Sequence, residues 1–333
     1  LGRGLDRRLG GENPEPRSGR RQPPLDVGLR VVGAEVASRH GVAAVAGPAA
    51  LFADFVPKAG VFARAAVAVA GPVAAGAAYL PNLGWTFDQA SLAAELGAPA
   101  LLLNDFAAVG YGLDLVGADD LLCLQAGRPV VRAPRAVLGA GTGLGQAHLY
   151  YGEHGYRVYA TEAGHTDFAP KNALEFGLLT HLQAEVGPHV SWERVLSGSG
   201  LVSIYRYLVE RTGVREAPGV SQAMRSADPA RVIAEEAGAD AACHKALDLF
   251  VRLYGAEAGN LALRTLARGG VYLAGGIAPR IAGKLADGTF LDAFADKGRF
   301  AAFLKDVPVF VVKNPHVALF GAAAYAMNPA HDG

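Results

Sequence analysis

The chain has 333 residues, of which 51% are hydrophobic, so it is long enough to build two ordinary domains around sizeable cores. Its 31 basic and 31 acidic residues cancel, which excludes the broad positive field that draws proteins onto nucleic acid or an anionic membrane. Only two cysteines occur, Cys123 and Cys243, in no metal-binding spacing. The composition predicts a cytoplasmic protein that acts on small molecules and binds neither nucleic acid nor a membrane.

The first thirty residues differ from the rest of the chain. They crowd together arginine, glycine and proline and show almost no apolar pattern. The arginines lead into Pro23 and Pro24 instead of an apolar run, so no secretory signal peptide is expected. Residues 1–30 are therefore predicted to be disordered or otherwise anomalous.

Regular elements are predicted from residue 65 onwards. The uncharged stretch 65–87 is repeatedly broken by glycine and proline, so it is predicted to form strand, turn and strand instead of a membrane span. A helix is expected to begin near the cap residue Asp88. The apolar run 99–103 is typical of a buried parallel strand, and it ends abruptly in Asn104-Asp105.

Farther along, the chain is predicted to form a β-hairpin followed by helices. Strands at 136–138 and 146–151 flank the loop Gly139-Ala-Gly-Thr-Gly-Leu-Gly145. Helical periodicity covers residues 174–186, 201–211 and 239–266, and strands are expected at 271–273 and 307–312 before a last helix around 321–326. Mixed strands and helices with buried apolar runs predict an α/β fold.

Asp105 is the first candidate for chemistry. A carboxylate just past the carboxyl end of a buried strand lies where open α/β sheets bind ligands, and it could accept the proton of a hydroxyl that attacks a phosphoryl group. Asn104 could orient the substrate or the carboxylate. The pair could equally cap the helix predicted at 106–113, and both roles can hold at once.

The glycine-rich loop is the second candidate. Four glycines at alternate positions let backbone amides approach a phosphate, and Thr142 adds a hydroxyl donor. The loop matches neither the dinucleotide-binding G-x-G-x-x-G pattern nor a Walker loop. A plain glycine-rich turn is the alternative. The same two interpretations, a close approach to a ligand or a turn, apply to Gly275-Gly276 at a predicted strand exit.

The third candidate is Glu162-Ala-Gly-His165-Thr-Asp167. A carboxylate accepts hydrogen bonds from vicinal hydroxyls and a histidine donates or accepts, so the cluster suits a sugar. Glu193 could supply another acceptor, or it could stabilise a helix start behind a Ser191 cap. A metal site built on Glu162, His165 and Asp167 is the rival, although no second histidine lies at the usual spacing.

Six separated blocks occur in a fixed order: NDFAAVGYGL, LGAGTGLGQA, EAGHTDFAP, HVSWERVLSGSGL, GGVYLAGGIAPRI and DKGRF. From about Ala65 to Tyr325 the chain thereby resembles the bacterial hexokinase-like glucokinase family. The resemblance implies a two-domain actin-like ATPase (ribonuclease H-like) α/β fold with the active site in the interdomain cleft. It also implies ATP-dependent phosphorylation of glucose at its 6-hydroxyl, feeding glycolysis, by an enzyme that commonly forms a homodimer.

The resemblance assigns roles to individual residues. Asp105 matches the catalytic base, and the positions that match glucose ligands are Asn104, Asp105, Glu162, His165 and Glu193. The positions that match ATP-binding segments are Gly141, Thr142 and Gly143 at the phosphates and Gly275 and Gly276 at the adenosine. Mg²⁺ is expected to arrive with ATP, not in a protein cage. A small domain is expected to comprise residues 31–115 and 307–327, and a large domain residues 116–306.

One family segment has no counterpart in the sequence. The family begins with a strand carrying Gly-Asp-x-Gly-Gly-Thr, whereas the nearest string here, Leu9-Gly-Gly-Glu-Asn13, lacks both the aspartate and the threonine. The first strands of the small domain are therefore expected to be missing or irregular, and residues 1–59 to come from a shifted reading frame or an erroneous start. The alternative function is a sugar-binding homologue with impaired catalysis.

Overall fold

A computed structural model describes residues 47–59, 61–80 and 83–328 of the chain. The predictions for residues 1–30, and for most of 1–59, lie outside these described residues. Strands and helices alternate through the described part in an α/β arrangement. None of its helices combines the length and the apolar character that crossing a membrane requires.

The bounds of the elements are as follows. The strands are β1 (Ala65–Val69), β2 (Ala77–Leu80), β3 (Trp85–Asp88), β4 (Ala100–Asn104), β5 (Leu121–Gln125), β6 (Arg135–Ala140), β7 (Leu144–Gly152), β8 (Gly155–Thr161), β9 (Gly270–Ala274) and β10 (Val309–Val312). The helices are α1 (Pro48–Ala59), α2 (Gln89–Leu96), α3 (Asp105–Gly112), α4 (Ala173–Val186), α5 (Gly198–Thr212), α6 (Val220–Ser226), α7 (Pro229–Glu236), α8 (Ala241–Thr265), α9 (Ala282–Leu285), α10 (Thr289–Ala295), α11 (Ala301–Asp306) and α12 (Val317–Met327).

A six-stranded mixed sheet forms the centre of the described part, in the order β5-β10-β9-β6-β7-β8. Strand β9 runs parallel to both β6 and β10, and the other pairs are antiparallel. Along β6, Leu138 faces the core that includes Phe250 and Tyr254 of α8, while Val137 faces a second core with Leu149. Because both faces of this strand are buried, residues 136–138 are all hydrophobic.

A smaller group of strands precedes this sheet in the chain. Strand β1 pairs in parallel with β4, and β2 pairs with β3 as a hairpin. Asp88 caps α2 by accepting a hydrogen bond from the N–H of Ser91 at 2.9 Å. The predicted strand at 65–70, the helix start at Asp88 and the buried strand at 99–103 are thus confirmed, whereas the stretch 65–87 holds three short strands instead of two.

Helices α3 and α12 pack closely through glycine. A Cβ on Gly321 would collide with the carbonyl oxygen of Ala108, and a Cβ on Gly112 would collide with the carbonyl oxygen of Val317. Strand β10 lies in the six-stranded sheet, while α12, which follows it, packs on α3 and β1. The chain therefore passes from the large sheet back to the smaller group within a few residues, and the predicted domain boundaries at 115 and 307 stay a prediction.

The long helices predicted from periodicity are confirmed as α4, α5 and α8, with small shifts at their ends. The sequence does not predict α1, the edge strands β5 and β8, or the short helices α6 and α7. Strand β5 and helices α6 and α7 are too short to establish a period.

Candidate active site

Asn104 and Asp105 lie at the junction of β4 and α3. The Asn104 Oδ1 accepts hydrogen bonds from the N–H groups of Phe106 at 2.8 Å and Ala107 at 3.1 Å. Its Nδ2 donates to the carbonyl oxygen of Gly71 at 3.0 Å. Asn104 is therefore the N-cap of α3 and also ties this helix to the loop after β1, which confirms the capping interpretation for Asn104.

The carboxyl group of Asp105 lies half-buried in the first turn of α3. Burial raises the pKa of Asp105 to about 6, the N–H of Phe106 opposes this rise by donating to Oδ1 at 2.9 Å, and the charge of Glu162 adds to it. Two residues from separate sequence blocks, Asp105 and Glu162, are thus brought close enough to interact electrostatically. A carboxyl with a pKa near neutrality suits proton transfer.

The β6–β7 hairpin is tighter than the sequence predicts. Gly139 pairs with Gly145 and Ala140 with Leu144, so the connection shrinks from the predicted 139–145 to residues 141–143. The ring of Phe106 fills the space beside the glycine pair, because a Cβ on Gly139 would lie 2.6 Å from it and a Cβ on Gly145 would collide with it. Gly139 and Gly145 accommodate the start of α3, so only Gly141 and Gly143 at the tip remain available for a close approach to a phosphate.

The hairpin tip is held by backbone hydrogen bonds. The N–H of Gly141 donates to the carbonyl oxygen of Gly143 at 2.8 Å, and the N–H of Gly198 donates to the carbonyl oxygen of Gly141 at 2.9 Å. Thr142 is exposed at the tip. The second of these bonds joins the hairpin to the first residue of α5, so the tip is braced from outside the sheet.

Gly275 and Gly276 lie against this hairpin. Gly275 has a φ of 81°, and a Cβ on it would lie 2.6 Å from the carbonyl oxygen of Ala140, so this position requires glycine. The N–H of Gly276 is 4.0 Å from where a Cβ on Gly141 would stand. The predicted phosphate and adenosine segments are therefore neighbours, although Gly275 is also accounted for as a turn.

Glu193 reaches the same hairpin from a short 3₁₀ turn, Trp192–Arg194. Its Oε2 accepts a hydrogen bond from the N–H of Leu144 at 2.9 Å and lies 2.5 Å from the position of a Cβ on Gly143. Ser191 occupies the N-cap position of this turn and Glu193 lies in its first turn, as the alternative for Glu193 predicts, although the Ser191 side chain makes no capping hydrogen bond. Ser197 caps the next helix, α5, where its Oγ accepts from the N–H of Gly200 at 3.1 Å.

Glu162 and His165 flank a second 3₁₀ turn, Ala163–His165, after β8. The Glu162 Oε2 and the His165 Nε2 are 3.9 Å apart, and both side chains are more than half exposed. A Cβ on Gly164 would collide with the carbonyl oxygen of Leu144, so this turn packs directly on the strand whose N–H Glu193 holds. The two predicted sugar-binding segments thus meet at Leu144.

Asp167, the third member of the predicted metal cluster, is engaged elsewhere. Its Oδ1 lies 2.9 Å from Nδ1 of His189, a residue that sequence reasoning does not single out. Within residues 47–59, 61–80 and 83–328, no three His, Cys, Asp or Glu side chains are grouped to hold a metal ion. The metal-site hypothesis therefore finds no ligand set among these residues. The contact between Asp167 and His189 joins two sequence blocks, and no local sequence pattern could have revealed it.

Comparison with known proteins identifies the family of the chain. The glucokinase family model matches residues 37–329. A glucokinase of Nostoc sp. is 45% identical over 260 residues, which cover 74% of this chain and 76% of the relative. The crystal structure of a glucokinase from an Antarctic psychrotroph superposes with a TM-score of 0.65 at 32% identity, covering 78% of this chain and 79% of that one.

A glucokinase of Balamuthia mandrillaris, solved in complex with glucose, has a TM-score of 0.71 at 24% identity and covers 84% of this chain and 83% of that one. At that identity the likeness shows the fold alone, and the fold is that of actin-like ATPase sugar kinases, as the six blocks imply. The match of the family model to most of the sequence, together with these relatives, shows that the chain belongs to the glucokinase family.

Proposed function

We propose that the chain transfers the γ-phosphoryl group of ATP to the 6-hydroxyl of glucose, with Asp105 as the general base, and that the product enters glycolysis. Membership of the glucokinase family supports the reaction class. The observation that carries the residue assignment is the Asp105 carboxyl, which lies at a strand end with a pKa raised to about 6 by burial and, to a smaller extent, by the charge of Glu162. Above that pH the group is ionised and can take the hydroxyl proton as the oxygen attacks phosphorus.

The sugar would be bound by the carboxylates and the imidazole around Leu144. Glu193 uses Oε2 to hold the Leu144 N–H, which leaves Oε1 to accept from a sugar hydroxyl. Glu162 and His165 lie side by side on the adjoining turn and suit a pair of vicinal hydroxyls. Asn104 can contribute an amide N–H, because its oxygen is committed to the α3 cap. Such a set discriminates a sugar from analogues that lack a hydroxyl.

The phosphates of ATP would lie at the hairpin tip formed by Gly141, Thr142 and Gly143, with the adenosine beside Gly275 and Gly276. Because the N–H of Gly141 is committed to the carbonyl oxygen of Gly143, the tip would offer an anion the N–H groups of Thr142 and Gly143 and the exposed Thr142 hydroxyl, with the Glu193 carboxylate beside Gly143. The described residues form no metal cluster, so Mg²⁺ would be held chiefly by the ATP phosphates. When bound there, the ion neutralises phosphate charge.

A coupled assay with glucose and Mg-ATP tests this function directly. Turnover that requires both substrates supports it. The alternative, a sugar-binding homologue with impaired catalysis, is motivated by the absence of a Gly-Asp-x-Gly-Gly-Thr segment from the sequence. Calorimetry separates the two, because glucose binding without saturable ATP binding supports the alternative, and ATP binding with turnover rejects it. The predicted domains and a homodimer remain part of the proposal.

The pH dependence of kcat/KM for glucose should report Asp105. Because burial raises the pKa of this carboxyl to about 6, the base is protonated as pH falls through that value. At saturating Mg-ATP, kcat/KM should fall about tenfold per pH unit below the pKa. Glu162→Gln removes the charge that adds to the rise, so the acid limb should move to lower pH even though KM increases. A flat profile in protein that circular dichroism shows to be folded would contradict Asp105 as the base.

A further inference from the structure

We propose that His189 is a positioning residue for sugar binding, which holds the turn carrying Glu162 and His165 through two hydrogen bonds. Its Nδ1 lies 2.9 Å from Oδ1 of Asp167, and its Nε2 lies 3.1 Å from the carbonyl oxygen of His165. The inference rests on the proposed function, because it assumes that this turn binds the sugar. His189 itself is placed to touch the loop and not the reacting atoms.

Both partners of the His189 ring are acceptors. A carboxylate oxygen and a carbonyl oxygen carry no proton, so the ring satisfies both only when both nitrogens are protonated. The neutral imidazole has a single N–H and makes one of the two hydrogen bonds. The protonated ring is therefore the form that ties His165 and Asp167 together.

The bond to His165 adds to the main-chain bonds that hold this turn. Within the turn, the N–H of His165 donates to the carbonyl oxygen of Glu162 at 3.0 Å and that of Thr166 donates to Ala163 at 3.1 Å. After the turn, the N–H of Trp192 donates to the carbonyl oxygen of Thr166 at 2.9 Å and that of Phe168 donates to Val190 at 2.8 Å. Among the described residues, the donor to the carbonyl oxygen of His165 is the His189 ring. Loss of this bond would remove the link between the His189 ring and the residue whose side chain lies 3.9 Å from Glu162.

The ionisable residues on the facing loop are Glu162, His165 and Asp167, and those on the neighbouring 3₁₀ turn are Glu193 and Arg194. Helix α4, which precedes His189, carries Glu185 in its last turn, and this carboxylate lies 3.4 Å from His181. Asp167 is the anion within hydrogen-bond distance of the ring, so it is the group whose removal should matter most.

The test is the affinity for glucose in the absence of nucleotide, measured by calorimetry. His189→Gln should raise the glucose Kd about threefold to tenfold, a modest change because Asp167 is exposed.

Two further variants make the result specific. Asp167→Asn leaves the ring in place but removes its charged acceptor, and it should reproduce part of the loss. His154→Gln changes an exposed histidine in the β7–β8 turn and serves as the matched control, with the wild-type Kd expected. In the coupled assay His189→Gln should raise KM for glucose while kcat stays within about twofold, because the base and the phosphate segments are untouched.

An unchanged Kd for glucose in folded His189→Gln would overturn the positioning role. So would a fall in kcat at constant Kd. Failure of the proposed function has a different signature, since wild-type protein would then show no glucose-dependent turnover at any pH, and this inference would fall with it.

Discussion

Replacement of Asp105 with asparagine is expected to lower kcat for glucose phosphorylation by at least about 10²-fold, because the variant cannot accept the hydroxyl proton. Glucose binding should be retained, since the amide is isosteric and can still accept the hydrogen bond from the Phe106 N–H. The coupled assay gives the rate, and calorimetry gives the affinity. Turnover unchanged by this substitution would remove Asp105 from the mechanism.

The same variant should be more stable than the wild type at neutral and alkaline pH. Burial raises the pKa of Asp105 from its ordinary 3.8 to about 6, so the ionised group destabilises the fold, and this cost is complete above the folded pKa and absent below the ordinary value. Asp105→Asn should therefore raise the free energy of unfolding by about 1–3 kcal/mol at pH 8 and by little at pH 4. Asp119→Asn, at an exposed carboxylate, is the matched control and should leave the free energy of unfolding unchanged at both pH 8 and pH 4.

Gly145→Ala is expected to destabilise the protein and to reduce its activity together. The new Cβ would collide with the ring of Phe106, and that ring cannot shift toward β6, where Gly139 leaves equally little room. Overpacking of this kind costs about 1–3 kcal/mol. Because Phe106 directly follows Asp105, displacing the ring moves the base, and a displacement of about 1 Å can cost roughly 10² in rate. Thermal denaturation and the coupled assay measure the two effects.

A double-mutant cycle identifies the clash as the cause. Phe106→Leu in the Gly145→Ala background should recover part of the lost stability, so the two changes should not be additive. Gly283→Ala is the matched control, because it lies in α9 with open space around its Cβ and a backbone that tolerates alanine. Equal losses of stability in Gly145→Ala and Gly283→Ala would show that Phe106 does not impose the requirement for glycine.

The sequence predicts those parts of the fold in which local pattern and tertiary burial agree. The run 99–103 is apolar throughout because strand β4 is covered on both sides, and Asp88 precedes a helix that it does cap. The order of the chemical blocks also predicts the family. In these places a few neighbouring residues carry the whole signal.

Prediction fails where a residue's role depends on a partner far along the chain. Ser191 and Ser197 both occupy the N-cap position of a helical turn, yet of the two only the Ser197 side chain makes a capping hydrogen bond. Gly139 and Gly145 have the composition of a phosphate loop, yet their partner is Phe106, more than thirty residues earlier. The roles of the predicted site residues themselves are tested by the substitutions above.

The short segment from Glu193 to Gly198 touches the hairpin at both of its ends, through the Leu144 N–H and the Gly141 carbonyl oxygen. A ligand that contacts Glu193 and a ligand at the hairpin tip therefore bind to one connected piece of structure, and their binding free energies need not be independent. Any factor by which glucose alters the affinity for ATP must equal the factor by which ATP alters the affinity for glucose. Six consecutive residues of one sequence block would thus couple the binding of the two substrates.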